Sequence, residues 1–362
     1  MFMKLKSLSL TQYKNITSKN FEFDTRINCF IGNNGVGKSN ILDAIYHLCF
    51  AKGYFNPTAV QNIQFNKDYF VLDAVFEKNE RTEKILCSLK RGHKKTLKRN
   101  GKVYEKISDH IGLLPLVIIS PSDRNLINEG SSIRRKFMDG VIGQTDPVYL
   151  NNLLDYTKIV SQRNALLKYF AVNQTFDSET LEIYDQQMIA LGTPIHEKRK
   201  TFLETFTSIF EQHYQSISKS QEEVTLSYES TLLKKSFDEL LKSQLAKDRM
   251  LQFSSTGIHK EDLFFSISGE SIKKFGSQGQ QKSFLIALKL AQFDFIKKQA
   301  GVAPIVLLDD VFDKLDQQRV SLIMQLIENK HFGQLFLSDT HEERTLQALE
   351  TTQSSYKIFN LS

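Results

Sequence analysis

Cysteine and long apolar runs are both scarce in this sequence. Its 362 residues include three cysteines, Cys29, Cys49 and Cys87, none of which has CxxC or Cys/His spacing. This pattern argues against a disulfide framework or a zinc site and favours a reducing compartment. No stretch approaches the roughly 20 apolar residues of a membrane span, and the opening MFMKLKSLSLTQYKN alternates like a strand, without a signal-peptide core. We therefore expect a cytoplasmic protein with no membrane partner.

A marked excess of charge is lacking as well. The 47 Lys and Arg against 41 Asp and Glu leave a formal net charge of +6, which only weakly favours an anionic partner. Hydrophobic residues make up 41% of the chain, with 27 Phe, and can form the core of one large domain or of two lobes. Internal repeats and sustained heptads do not occur, which excludes a long coiled coil.

The character of the sequence changes twice along the chain. Residues 1–130 contain short β-rich runs around one helical stretch, and residues 131–217 have helical periodicity. β-rich runs return in residues 218–362, where APIVLLDDVF has the length of a buried central strand. The sequence thus predicts two α/β segments, 1–130 and 218–362, with a helical lobe inserted between them.

Turn and breaker residues add detail to this prediction. Asn100-Gly101 lies between two strand-like flanks and predicts a hairpin. Asp146 followed by Pro147 predicts the start of a helix, because Asp caps helices and Pro fits the first turn. Gly192 and Pro194 are expected to interrupt a later helix, which resumes at IHEKRKTFLE.

A glycine-rich loop between an apolar strand and an amphipathic helix carries the clearest chemical signal. The stretch INCFIGNNGVGKSN matches GxxxxGK[ST], in which backbone N–H groups surround phosphates at a helix N-terminus. Lys38 is placed to reach the terminal phosphates of ATP, and the Ser39 hydroxyl to bind Mg²⁺. The residues expected to bind the nucleotide are Gly32, Asn33, Asn34, Gly35, Val36, Gly37, Lys38, Ser39 and Asn40. The alternative is an ordinary glycine turn, which the full match disfavours.

Two adjacent carboxylates follow the apolar strand PIVLL. Asp309 is placed to hold Mg²⁺ opposite Ser39, directly or through water, and Asp310 could polarise the attacking water. We therefore assign metal binding to Ser39 and Asp309, and catalysis to Asp310 and Lys38. Many related ATPases have Glu at the position of Asp310, and the shorter side chain suggests slow hydrolysis. An ordinary strand with a polar end is the alternative.

A second glycine motif, GSQGQQKS from Gly276, again precedes an amphipathic helix. Small residues at such a place usually form a cap or a turn. Its position between the Walker A motif and the Asp309 strand, however, is the arrangement of ABC-type ATPases, in which this signature contacts ATP held by a second subunit. The sequence therefore predicts a split P-loop ABC-type ATPase head with an inserted helical lobe, which forms a homodimer around ATP.

Over essentially its whole length the chain resembles the RecF family of bacterial recombination mediators, a group related to chromosome-maintenance ATPases. The resemblance rests on GNNGVGKSN, LPLVIISPSD, IRRKFMD, YTKIVSQRNALL, TGIHKEDL, GSQGQQKS and LLDDVFDKLD, in that order. It implies that Ser277, Gly279 and Gln280 contact the nucleotide of the other subunit. It also implies that Asp316 communicates between the two nucleotide sites.

The same resemblance implies partners and further site residues. The partners would be DNA at junctions and gaps, and the proteins RecR and RecO in loading a recombinase. Thr340 or His341, in SDTH, would be the switch-loop group near the γ-phosphate. The sequence departs from the family in two places. The loop AKGYFNPTA has no Arg where the family commonly has one, although Lys52 could substitute for it. The segment TGIHKED differs from the usual pattern. We therefore assign His259 no chemistry.

One basic segment, KRGHKKTLKRNGK from Lys90 to Lys102, contains seven positive charges and no acid. Such a hairpin can bind phosphates without reading bases. Alternatively its lysines protect an edge strand. The candidate DNA contacts are Lys94, Lys95, Lys98, Arg99 and Lys102.

Arg134 and Arg135 are further candidates for contact with DNA, although pairing with nearby carboxylates is equally plausible. Neither basic segment contains the interleaved aromatics of a single-strand stacking platform. Duplex or junction DNA is therefore the expected ligand.

Two other classes of protein share some of these motifs. A transporter ATPase subunit has Walker A, signature and Walker B motifs, but the long insertion and the GSQGQ signature disfavour it. A structural DNA clamp with incidental hydrolysis stays open because Asp310 stands where Glu is common. An ATPase-coupled nuclease would need an added block of metal-binding carboxylates, for which there is no room after Asp316.

Overall fold

A computed structural model describes residues 3–218, 222–310, 325, 332–350 and 352–362. The chain divides into two compact units, which we call unit 1 (Met1–Asp123 with Lys282–Ser362) and unit 2 (Arg124–Gln281). The sequence-based boundaries at residues 130 and 217, which separate the two α/β segments from the inserted helical lobe, stay a prediction.

The elements of the N-terminal part of unit 1 are β1 (Met3–Tyr13), β2 (Ile16–Glu22), β3 (Ile27–Ile31), α1 (Lys38–Phe50), β4 (Tyr69–Lys78), β5 (Arg81–Lys90), β6 (Thr96–Arg99), β7 (Lys102–Val103) and β8 (Leu116–Ile119). Those that begin in unit 2 are α2 (Asn125–Asn128), α3 (Ser131–Gly143), α4 (Pro147–Asn173), α5 (Ser178–Ser218), β9 (Val224–Glu229), α6 (Phe237–Leu251), β10 (Asp262–Ile267), β11 (Glu270–Ser271), α7 (Ile272–Phe275) and α8 (Gln278–Ala300). The C-terminal part of unit 1 adds β12 (Ile305–Leu308), β13 (Leu335–Asp339), α9 (Glu342–Glu350) and β14 (Tyr356–Asn360).

Two sheets enclose α1 in unit 1. A parallel sheet has the order β14-β3-β13-β12-β8, and an antiparallel sheet has the order β2-β1-β4-β5-β6-β7. The strands β3, β12 and β13 are wholly buried, as inner strands of a parallel sheet covered on both faces should be. One large apolar cluster joins α1 to both sheets, so the helix that follows the glycine loop is fixed from two sides. The predicted α/β character is confirmed.

The predicted hairpin and helix start are also confirmed. Asn100 and Gly101 both have positive φ, 50° and 83°, and connect β6 to β7, as in a type I′ turn. The Asp146 side chain accepts from the backbone N–H of Tyr149 at 2.9 Å, and Pro147 occupies the first helical position of α4.

The predicted interruption at Gly192 and Pro194 is wrong. One helix, α5, runs unbroken from Ser178 to Ser218 with Pro194 inside it. A Cβ at position 192 would lie 2.5 Å from Phe237 Cε1 and 3.0 Å from Tyr156 Cε2. Gly192 therefore permits close packing of α4 and α6 on α5, and this packing outweighs the helix-breaking tendency of both residues.

Unit 2 is not purely helical. Its three-stranded antiparallel sheet has the order β11-β10-β9 and accompanies the helices. Among the helices described, none is long and apolar enough to cross a membrane.

We expect Gly192→Ala to destabilise the protein by about 1–3 kcal/mol, because the added methyl group overlaps Phe237. The matched control is Gly140→Ala in α3, where no atom lies within 4 Å of the added methyl group. Removing a helical glycine there should stabilise by up to about 1 kcal/mol. Urea unfolding measures both, and equal effects of the two substitutions would contradict the close packing at Gly192.

Candidate functional site

The glycine loop between β3 and α1 has the backbone that its sequence predicts. Gly32, Gly35 and Gly37 have φ of 155°, 86° and 106°. A Cβ at Gly32 would lie 2.5 Å from the carbonyl oxygen of Leu361, and one at Gly37 would lie 2.9 Å from Asn15 Oδ1. Gly32 is thus required by space as well as by conformation, and a side chain at Gly37 would displace the Asn15 amide.

Lys38 begins α1 and folds back over the loop. Its ammonium donates to the carbonyl oxygens of Gly32 at 2.7 Å and Asn33 at 3.0 Å, and the residue is 4% exposed. No acidic residue lies in the first turn of α1, so the helix itself supplies no carboxylate to its positive end. These features fit an anion of the size of a nucleotide phosphate at this place.

Asn15, in the turn between β1 and β2, was not found by sequence reasoning. Its side chain donates to the carbonyl oxygen of Gly35 at 2.9 Å and accepts from the Asn40 amide at 2.8 Å. It therefore ties the antiparallel sheet to the glycine loop and to the first turn of α1. A lone Asn in the turn YKNI gives no local sign of this role, because its partners are 20 and 25 residues away.

Asp309 and Asp310 follow β12 and share one partner, Ser338 of the neighbouring strand β13. The Ser338 hydroxyl donates to Asp309 Oδ1 at 2.8 Å and accepts from the backbone N–H of Asp310 at 2.9 Å. Burial raises the pKa of Asp309, while hydrogen bonds from Ser39 and Ser338 and the charge of Lys38 act in the opposite direction. The structure thus brings Ser39, Lys38 and Asp309 together, as the sequence predicts for a Mg²⁺ and phosphate site.

These residues fit a magnesium ion held mainly by nucleotide. Among the described residues, no group of three or more His, Cys, Asp or Glu side chains could form a metal cage. Mg²⁺ commonly takes one or two protein oxygens and completes its shell with phosphate and water. Ser39 and Asp309 would supply those two oxygens. Asp310 has a φ of 46°, a left-handed conformation that is uncommon for a residue other than glycine.

The switch-loop candidates are held by Asp339, a second residue that sequence reasoning missed. This fully buried carboxylate accepts from the backbone N–H groups of Thr340 at 2.7 Å and His341 at 3.2 Å. It also accepts from Arg344 and from the Thr345 hydroxyl, which fixes the start of α9. The loop that carries Thr340 and His341 is therefore bound at the end of β13, one strand from Asp309.

The signature residues lie at the start of α8. Ser277 Oγ accepts from the backbone N–H of Gln280 at 3.2 Å, and Gln280 Oε1 accepts from the backbone N–H of Ser277 at 2.7 Å. Gln280 also donates to Glu222 at 2.7 Å. Ser277 and Gly279 are exposed. Their contact with a second subunit stays a prediction, and Asp316, the predicted communicating residue, lies outside the described residues.

Of the five candidate DNA contacts, two are bound within unit 1. The Lys95 ammonium donates to the carbonyl oxygen of Ala51 at the end of α1, and burial lowers its pKa. Arg99 forms a bidentate ion pair with Glu83, with N···O distances of 2.8 and 2.6 Å. Lys94 and Lys102 are exposed and Lys98 is half-buried. The latter three are better placed for a phosphate than Lys95 and Arg99.

The basic residues at the start of unit 2 are paired internally. Arg134 binds both carboxylate oxygens of Asp262 at 2.8 Å, and Arg135 donates to the carbonyl oxygen of Glu261 at 2.5 Å. The sequence leaves open whether these arginines contact DNA or pair with carboxylates. Arg134 pairs with a carboxylate, although that carboxylate is remote in sequence.

The altered TGIHKED motif has a structural role. Its Glu261 side chain accepts from Arg199, from Tyr228 and from Ser230, and contacts His196 at 2.7 Å. His259 contacts the Tyr156 hydroxyl and the carbonyl oxygen of Ser254, each at 3.0 Å, and burial lowers its pKa to about 4. Packing and hydrogen bonding account for His259.

A buried polar cluster underlies α1. Asp43 accepts from the Tyr13 hydroxyl at 3.0 Å, from the Lys14 ammonium and from the backbone N–H groups of Tyr54 and Phe55. The loop AKGYFNPTA, which lacks the expected Arg, is thus fastened to α1 by Asp43. His47, one turn further on, contacts the Tyr13 hydroxyl at 3.1 Å, and burial lowers its pKa to about 3.

Comparison with known proteins defines the class. The family model for the RecF/RecN/SMC N-terminal domain matches residues 4–360. The Smc head domain of Pyrococcus furiosus, bound to the C-terminal domain of ScpA, has a TM-score of 0.57 at 16% identity over 99% of this chain and 94% of that chain. This likeness shows the fold. The protein has a mixed α/β head of the ABC-type ATPase class.

More similar proteins narrow the assignment. The DNA replication and repair protein RecF of Flavobacterium johnsoniae is 60% identical over 359 residues, 99% of this chain and all of that protein. RecF of Bacteroides thetaiotaomicron is 45% identical over 361 residues, 99% of this chain and 97% of that protein. The recombination mediator RecF-ATPrS of the RecFOR pathway has a TM-score of 0.89 at 27% identity, over 99% of this chain and 96% of that one. This chain belongs to the RecF family of DNA replication and repair proteins.

We expect the stability of the protein to fall as the pH decreases from about 6.5 towards 4, in part through His47. The unfolded chain then binds a proton that buried His47, with a pKa of about 3, does not. The loss should be on the order of 1 kcal/mol per pH unit. Urea unfolding at pH 7.5, 6, 5 and 4.5 measures this slope. His47→Gln should flatten it, whereas His93→Gln, at an exposed turn, is the control; an unchanged slope for His47→Gln would contradict the prediction.

Proposed function

We propose that this protein is an ATP-dependent, homodimerising DNA-binding ATPase of recombinational repair in the cytoplasm. It would bind DNA at junctions between single and double strands, including gaps, and support loading of a recombinase together with RecR and RecO. The observation that carries the proposal is the placement of Asp309 at the end of the glycine loop, where it accepts a hydrogen bond from Ser39 and lies within the electrostatic influence of Lys38. A similar RecF structure, at 28% identity and a TM-score of 0.88, is one with ATP.

The residues would act on ATP in distinct ways. Backbone N–H groups of residues 32–39 and the Lys38 ammonium would hold the phosphates, which requires Lys38 to exchange its two carbonyl partners for phosphate oxygens. Bound Mg²⁺ would neutralise charge on the β- and γ-phosphates. Asp310 would orient water, and its backbone is fixed by Ser338. Ser277 and Gly279 of the other subunit would complete the site.

Slow hydrolysis is part of the proposal. Asp310 is one methylene shorter than the Glu common in related ATPases, so it reaches a water molecule less readily. Long-lived ATP would keep two subunits closed on DNA, and turnover would release them. A structural clamp with incidental hydrolysis is the second candidate, and the short side chain of Asp310 favours it as well. Membership of the RecF family gives no support to a transporter subunit. Comparing turnover with and without DNA separates the first two.

We expect Ser338→Ala to reduce ATP hydrolysis roughly ten- to hundredfold, because the carboxylate of Asp309 and the N–H of Asp310 lose a shared buried partner. Steady-state phosphate release measures turnover, and fluorescent ATP measures binding. The control is Ser355→Ala, which removes an exposed hydroxyl that donates to Asp24. Unchanged turnover in Ser338→Ala would remove Ser338 from the mechanism.

We expect ATP, but not ADP, to produce a dimer that retains DNA, and Ser277→Arg to abolish it. The Arg side chain would fill the space that the signature must leave for the phosphate of the opposite subunit. Size-exclusion chromatography with light scattering measures mass and DNA retention in each nucleotide state.

The control for this experiment is Ser161→Arg, on an exposed position of α4. Because Ser277 also caps α8, the unfolding midpoint without nucleotide is compared for all variants. A wild-type protein that stays monomeric with ATP, or a Ser277→Arg dimer that persists, would falsify the proposal that two subunits close around ATP.

A further inference from the structure

One exposed aromatic side chain lies in the turn before β4, beside the basic segment that connects β5 to β6. Phe65 is 85% exposed, more than any other large hydrophobic residue among those the structure describes. Tyr69, four residues on, is 40% exposed and lies opposite Lys90 in the β4–β5 pair. A single exposed apolar side chain is common on a protein surface, so the case for a ligand rests on what surrounds Phe65.

The turn that carries Phe65 is fastened at both ends. The backbone N–H of Lys67 donates to the carbonyl oxygen of Gln64 at 3.0 Å, and Asn66 has a φ of 60°, as at the third position of a type II turn. Gln64 donates from its backbone to Gln12 at 2.9 Å and from its side chain to Thr17 at 3.0 Å. The ring is thus presented on a held turn.

The basic hairpin holds the other end of this turn. The Arg91 guanidinium donates to the carbonyl oxygen of Lys67 at 3.0 Å, and its backbone N–H donates to that of Asp68 at 2.8 Å. Lys67, Lys90, Arg91 and Lys94 are all exposed. Asp68 is the one acid in segments 64–69 and 90–95. The fold therefore adds the aromatics that the hairpin sequence itself lacks.

We propose that Phe65, with Tyr69 beside it, stacks on an unpaired base at a junction while the neighbouring basic side chains hold the adjoining phosphates. Every base offers a π-face, so such stacking tolerates sequence. The inference rests on the proposed DNA binding and adds to it the group that distinguishes a junction from uninterrupted duplex. A second copy of the chain is a poorer occupant, because a symmetric contact would bring Lys67, Arg91 and Lys94 against themselves.

The absence of Trp from the chain makes a direct test available. Phe65→Trp introduces a single tryptophan, and its fluorescence should be quenched on binding gapped DNA and not on binding blunt duplex of the same length. The control is Tyr356→Trp, at a position 42% exposed on β14 of the other sheet, where neither DNA should change the fluorescence. Equal quenching by both DNAs would overturn the stacking assignment.

Affinity measurements with ATP present give a second readout. Phe65→Ala should weaken binding to gapped DNA about tenfold and leave blunt-duplex affinity within about twofold. Phe65→Leu, which keeps an apolar side chain without a ring, should resemble Phe65→Ala. Retained gap preference in either variant overturns the inference.

The two proposals fail in different ways. Wild-type protein that binds no DNA would overturn DNA binding and this inference together. Wild-type protein that binds duplex and gapped DNA equally, with Phe65→Ala unchanged, would overturn this inference alone. Loss of the ATP-dependent dimer in Phe65→Ala, with DNA affinity of the remaining species unchanged, would assign the surface to a protein contact instead.

Discussion

The buried carboxylate of Asp43 is the interaction on which the nucleotide half of the molecule depends. A buried charge is tolerated only when it is paired and its oxygens are satisfied. Asp43 meets this condition with groups from two places: Tyr13 and Lys14 at the end of β1, and the backbone of Tyr54 and Phe55 after α1. One side chain thereby fixes α1, the antiparallel sheet and the following loop relative to one another.

This arrangement explains how the antiparallel sheet supports the glycine loop. Because Lys14 is held by Asp43, the next residue, Asn15, is positioned to bind Gly35 and Asn40. The adjoining ends of β1 and β2 bind the turn that carries Phe65, through Gln12 and Thr17. The Phe65 turn and the glycine loop are thus both hydrogen-bonded to residues 12–17.

The parts of the site that could be predicted from sequence are those whose chemistry is local. GNNGVGKSN specifies its own turn, and LLDD specifies a strand end, since the backbone requirements lie within the motif. Asn15 and Ser338 act through partners in other elements, so no local spacing predicts them. The failure at Gly192 has the same origin, because Phe237 and Tyr156 decide what that position needs. Lys95 and Arg99 likewise look like free charges until Ala51 and Glu83 are placed beside them.

Internal ion pairs and hydrogen bonds limit which basic side chains can bind an anion. In unit 2, Arg134, Arg135, Arg163 and Arg199 each donate to a carboxylate or carbonyl oxygen within the unit, and removing such donors would leave buried acceptors unsatisfied. A DNA phosphate would have to compete with these internal partners. Lys67, Lys90 and Lys94 lie exposed along one edge of unit 1, where a phosphate competes mainly with water. Because this edge also presents Phe65, the basic residues and the aromatic ring form one surface, and the folded arrangement, more than the net charge of the chain, determines what that surface can recognise.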